Sequence, residues 1–99
     1  MIAEQPDHKW ILRLYVAGLT PTAERALANI KTICTQHLEG QYALQVIDLL
    51  ESPALAELDQ IFAVPTLVRQ LPSPLRKIVG DLSDIPKVMA GLDIKTGPQ

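Results

Sequence analysis

The sequence predicts a single small α/β domain in which strands and helices alternate before closing on a strand pair and a last helix. Three observations carry this. An apolar run at 10–17 reads as a covered strand, amphipathic stripes follow two Ser/Thr-Pro steps, and a Pro-Ser-Pro turn joins two short strand-like runs.

The first run, WILRLYVA, is rich in β-branched, aromatic and aliphatic residues, and Arg13 is its only charge, the pattern of a strand covered on both faces. Thr20-Pro21 reads as a helix N-cap followed by proline at the first helical position, where the missing N–H does no harm. Behind it Ala23, Ala26, Leu27, Ile30, Ile33, Cys34 and Leu38 recur at three- and four-residue spacing opposite Glu24, Arg25 and Lys31, and Gly40 supplies a stop. The run at 42–49, YALQVIDL, is a second strand, and a right-handed crossover sets it parallel to the first. Ser52-Pro53 repeats the cap-then-proline signal, with Leu55, Leu58, Ile61 and Phe62 as the inward side of a shorter helix that ends before Val64-Pro65. Runs at 66–71 and 75–79 form a hairpin around Pro72-Ser73-Pro74, and Gly80-Asp81 ends it. Ser83 is the expected cap of a last helix, with Pro86 in its tolerant first turn and Val88, Met89 and Leu92 facing inward.

The order βαβαββα is the thioredoxin-like one, and Val64-Pro65-Thr66 sits where that fold places a cis-proline before its third strand. A generic X-Pro bond favours trans by about 0.5–1 kcal/mol, so the packed fold has to select the cis form expected at Pro65.

Length and composition bound the function. At 99 residues the chain fits one domain, 1–99, with the polar stretches 1–9 and 95–99 expected to be flexible. A 47% hydrophobic fraction suits a globule, and 20% charged residues in mixed segments leave no unbroken apolar span for a membrane. Met1 to Lys9 is polar and mixed in charge, so secretion is not expected. A formal net charge of -2 gives no general attraction to nucleic acid. Cys34 is the single cysteine, which rules out an intrachain disulfide and a cysteine-based metal cluster, and fits a reducing cytoplasm.

The candidate chemistry is sparse. A thioredoxin-like oxidoreductase carries C-x-x-C between its first strand and first helix, where the helix N-terminus lowers a thiol pKa. Here that corner reads Ala17-Gly18-Leu19-Thr20-Pro21, so dithiol exchange is excluded, and Cys34 belongs to the apolar helix stripe. His8 and His37 have no partners at metal-ligand spacing, and no carboxylate pair is fixed by a motif. Neither a metal, a cofactor nor a catalytic residue is expected. Arg69, Arg76 and Lys77 flank the Pro-Ser-Pro turn, and Arg25 lies early in the first helix; they form a candidate basic patch, for which solubilising charge is the plain alternative.

The segments LRLYVAGLTP, GQYALQVIDLLESPALAELDQIFAVPTLV, LPSPLRKIVGDLS and KVMAGLD, in this order from Ile11 to Asp93, together resemble the KaiB family of the cyanobacterial circadian clock. The resemblance implies a noncatalytic, cytoplasmic adaptor that docks as a thioredoxin-like monomer on the ATPase KaiC. There it sequesters KaiA and displaces a sensor histidine kinase with a related domain. It also implies fold switching, with an alternative, often tetrameric ground state of order βαββααβ in which about Leu50 through Asp93 are rearranged. Carried over residue by residue, it makes Arg25, Arg69, Arg76 and Lys77 cations facing KaiC. Trp10, Tyr42 and Ala43 become contacts for KaiA at the second-strand edge. Gln45 and Gln60 stand where clock members resemble lysine, and Ser73 interrupts a proline-rich turn, so the sequence also fits a paralogue serving a sensor kinase or stress regulator outside a clock.

Overall fold

A computed structural model describes residues 9–94. Apart from Lys9, the ends expected to be flexible lie outside the described residues. Strands β1 (Trp10–Val16), β2 (Tyr42–Asp48), β3 (Thr66–Leu71) and β4 (Arg76–Val79) and helices α1 (Pro21–His37), α2 (Ala54–Leu58) and α3 (Ile85–Leu92) follow the order βαβαββα. The strands form one sheet, β2-β1-β3-β4, with β1 parallel to β2 and antiparallel to β3, and β3 antiparallel to β4. No described helix is long and apolar enough to cross a membrane.

The two sheet faces have different covers. Leu12, Leu14, Val16 and Leu67 project into the main core with Ala26, Ile30, Ile33 and Cys34 of α1 and Val88, Met89 and Leu92 of α3. Tyr15, Ile47 and Val68 project from the other face onto Ile61 and half-buried Leu55 of the α2 region. Alternation along β1 therefore serves two cores, which is why its sequence is apolar apart from Arg13.

Caps decide where the helices begin. Thr20 is the N-cap of α1, its Oγ1 accepting from Ala23 N–H at 3.1 Å, as the Thr-Pro step predicts. The predicted cap at Ser52 does not form. Pro53 precedes α2 in helical conformation without a side-chain cap, and the backbone carbonyls of Ser52 and Pro53 accept from Leu55 and Ala56 instead. The last cap is displaced by one residue: Asp84 Oδ1 accepts from Lys87 N–H at 3.3 Å, while Asp81 Oδ1 accepts from Ser83 N–H at 3.0 Å and holds that serine in the preceding turn.

The inward side predicted for α2 is half right. Ile61 is buried, but Leu58 and Phe62 are 73% and 91% exposed. The helix has only five residues, and Gln60 follows in the left-handed region at φ 57°, which turns Ile61 inward and Phe62 out. Val64-Pro65 is cis, as are Leu71-Pro72 and Ser73-Pro74 in the β3–β4 turn. At the far end Gly91 lets α3 approach β4: a Cβ there would lie 2.8 Å from Ile78 Cδ1.

Candidate partner-docking surfaces

The corner between β1 and α1, where a dithiol enzyme keeps its reactive pair, is built from backbone and a carboxylate. Asp48, at the end of β2, accepts on Oδ1 from Gly18 N–H at 3.0 Å and from Leu50 N–H at 2.9 Å, joining the β1–α1 and β2–α2 loops. Gly18 takes φ 81°, open to glycine and strained for other residues. The joined loops hold Leu19 and Leu50 outward, 71% and 69% exposed, and Val64 and Pro65 share a cavity with Ala17, Thr20 and Ala23 beside them. Sequence reasoning missed Asp48, Leu19, Leu50 and Phe62 as surface features; an acid closing an apolar strand run was the one available signal.

Cys34 is fully buried in the last turn of α1, where desolvation pushes its thiol up to about 12. It is protonated and shielded, the opposite of an activated thiol. Among the described residues no three His, Cys, Asp or Glu side chains converge as metal ligands. Below α2, buried Tyr15 donates its hydroxyl to Asp59 Oδ2 at 2.6 Å, and Arg13 lies 3.8 Å from the same oxygen. Burial, then the Asp59 bond, raise the Tyr15 pKa. This network anchors α2 to the sheet.

The four predicted cations do not make one patch. Arg25 is exposed, bonds Thr22 Oγ1 at 3.2 Å and pairs with Asp81 at 3.5 Å. Arg69 is a correction: it is 2% exposed, not a surface cation. It lies opposite Leu12 on the main-core face, donating Nη1 to Leu92 O at 2.6 Å and Nη2 to Pro74 O at 2.8 Å, with its guanidinium 5.4 Å from the centre of the Trp10 ring. It ties the C-terminus of α3 to the β3–β4 turn. Burial, with Arg76 adding to it and Asp93 opposing, lowers its pKa from an ordinary arginine value. Arg76 is exposed and in register with Arg69, so it shares that face. Lys77 is in register with Val68 and projects from the other face, donating Nζ to Asp59 O at 3.1 Å and Gln60 O at 2.7 Å.

The three edge residues do come together in part. Trp10 and Tyr42 are register partners and half-buried, and Ala43 follows on the opposite face of β2. Among the described residues β2 and β4 are the two edges of the sheet. Pro65 is buried at the start of β3.

Fold and corner define a class: a thioredoxin-fold domain whose reactive corner has been replaced by an apolar, thiol-free one. The KaiB domain model matches residues 13–94. The KaiB clock oscillator protein of Gloeothece citriformis is 58% identical over 85 residues, covering 86% of this chain and 80% of that protein. KaiB1 of Synechocystis is 56% identical over 86% of this chain and 81% of its own length, and KaiB of Synechococcus elongatus 53% identical over 93% and 90%. The chain belongs to the KaiB family. Among solved structures, the N-terminal domain of Synechococcus elongatus SasA superposes with TM-score 0.71 at 22% identity, over 100% of this chain and 97% of that one. Yeast mitochondrial thioredoxin 3 gives 0.69 at 17%, over 89% and 80%, and both likenesses are of fold.

Proposed function

We propose that this chain is a noncatalytic clock adaptor of the cytoplasm that binds a KaiC-type ATPase and modulates its phosphorylation cycle by recruiting or displacing partners such as KaiA or a sensor histidine kinase. The observation that carries this is the corner: in a KaiB-family chain with the thioredoxin fold, exposed Leu19 stands in the segment where a redox enzyme has thiols, and exposed Leu50 lies against the neighbouring Gly18. Exposed large apolar side chains grouped on one surface are a mark of protein association. Arg25 and Arg76 are the exposed cations retained for the KaiC-facing role, with Lys77 projecting from the far face; the edge at Tyr42 and Ala43, near Trp10, is retained for KaiA. Docking is by the monomer in this reading.

The test is complex formation with the host's KaiC-type ATPase after long incubation, read by sedimentation, with the ATPase's phosphorylation followed by gel. A complex weakened at least tenfold by Leu19→Asp, together with a changed phosphorylation time course, is the expected result. No complex with any KaiC-type ATPase of the host, with stable capture of a sensor kinase or stress regulator instead, would transfer the adaptor role outside the clock.

A further inference from the structure

The two sheet edges are guarded differently. β4 has four residues, two of them Arg76 and Lys77, and Pro74 lies just before it; short length, positive charge and nearby proline all discourage edge pairing. β2 has seven residues, TyrAlaLeuGlnValIleAsp, with no Lys, Arg or Pro. Its hydrogen-bonding parity follows from its register. Trp10 N–H donates to Gln41 O at 2.9 Å and Leu49 N–H to Val16 O at 2.7 Å, at either end of a continuous pairing from Trp10↔Tyr42 to Val16↔Asp48. Alternation then turns the backbone groups of Ala43, Gln45 and Ile47 toward β1, and those of Tyr42, Leu44, Val46 and Asp48 outward. Of these, only Asp48 O is used among the described residues, accepting from Glu51 and Ser52 N–H.

We infer that β2 pairs antiparallel with β2 of a second copy of this chain, about a twofold axis at Gln45, to form one continuous sheet across a dimer. The axis at Gln45 opposes the whole strand to itself. Leu44 then meets Val46 of the partner, Ala43 meets Ile47, and Tyr42 meets Asp48, each pair occurring twice by symmetry. Every outward carbonyl still free accepts a bond, and the N–H groups of Leu44, Val46 and Asp48 donate. The side chains are self-complementary. Val46, 42% exposed in the single chain, is covered by Leu44, and Asp48, the strand's one charge, faces a tyrosine and not its own copy. An axis one residue earlier, at Leu44, shortens the overlap and leaves Asp48 N–H without a partner. An edge contact of this size falls below the roughly 1,200 Å² of standard interfaces, so the dimer is weak and depends on concentration. It covers the same edge as the proposed KaiA contact, so self-pairing and that docking compete, but it does not depend on that docking.

The register makes the test sharp. At the axis the two Gln45 residues form a non-hydrogen-bonded pair, with Cα atoms about 4.5 Å apart, within disulfide reach. Two Ala43 residues lie four positions apart along the strands, about 13 Å. Cys34 is buried and protonated, so an introduced cysteine is the reactive one. Mild oxidation should cross-link Gln45→Cys into a dimer at least tenfold faster than Ala43→Cys. Sedimentation velocity of the unaltered chain from about 10 μM to about 1 mM, which spans the weak end of the affinity scale, should show a rise toward twice the monomer mass. Val46→Pro, which removes only an outward N–H, should abolish the rise. Val46→Lys, which keeps every backbone donor, repeats the test if the proline variant unfolds. A monomer throughout the range, a dimer indifferent to both Val46 variants, or equal cross-linking at 43 and 45 would each overturn the inference.

Discussion

Arg69 offers the most direct check on how this fold is held. Its guanidinium makes two charge-assisted bonds to backbone carbonyls, from Nη1 to Leu92 and from Nη2 to Pro74, and stacks near Trp10, while its Nε has no partner among the described residues. Bonds to charged groups contribute about 1.5–3 kcal/mol each, and a partly desolvated cation–π contact about 1–2 kcal/mol. Against these stands the cost of burying a cation to which, among the described residues, no carboxylate is bonded, several kcal/mol, which truncation relieves. Losing both bonds and the stacking, less part of that cost, leaves Arg69→Ala destabilised by about 2–4 kcal/mol. At about 4–8 °C per kcal/mol for a domain of this size, the midpoint of thermal unfolding falls by roughly 10–30 °C. Urea unfolding followed by circular dichroism measures this directly, with exposed Arg76→Ala as the control expected within about 0.5 kcal/mol. Arg69→Lys, which has one head and cannot reach both carbonyls, should fall between the two. If Arg69→Ala is no less stable than Arg76→Ala, the clasp between α3 and the β3–β4 turn is not what holds them together.

Three further outcomes follow from packing and linkage. Gly91→Ala puts a Cβ 2.8 Å from Ile78 Cδ1 and should cost about 1–3 kcal/mol, with Ile78→Val restoring most of it; equal losses in single and double variants would show that the contact is not the cause. Asp48→Ala leaves Gly18 N–H and Leu50 N–H without their shared acceptor, so amide exchange at these two positions should quicken at least tenfold while exchange in α3 is unchanged; uniform quickening would refute a local role. Cys34 keeps its proton in the folded state up to about 12, against an ordinary thiol value of 9.0, so above pH 9 only the unfolded chain releases it. Stability should therefore be pH-independent through this group below pH 9 and fall by up to about 1.4 kcal/mol per pH unit above it, and that slope should shrink in Cys34→Ser.

The element order was legible because each signal was local: the Thr20-Pro21 step, the stripe from Ala23 to Leu38, and the turn at Pro72–Pro74 depend on residues a few positions apart. Ser52 and Ser83 misled for an equally local reason. The backbone carbonyl of Asp48 takes the Ser52 N–H and the carboxylate of Asp81 takes the Ser83 N–H, and propensity does not say which oxygen prevails. Phe62 belongs to the same class, since one left-handed residue at Gln60 decides which of two adjacent apolar side chains is covered.

Arg69 and the β2 edge were illegible for a different reason. In the run TLVRQL an arginine beside the turn reads as an exposed strand residue, and only the pairing of β3 with β1, which sets Arg69 opposite Leu12 on the main-core face, places it under the end of α3. Alternation along β2, likewise, says which side chains share a face but not which backbone groups are free, because that depends on which neighbour lies on which side. Once the order β2-β1-β3-β4 is known, the same seven residues acquire an outward parity, and the absence of lysine, arginine and proline among them becomes informative. A docking protein has this property in general: its core is written in periodicity, whereas its contact surface is defined by what the fold leaves unpaired.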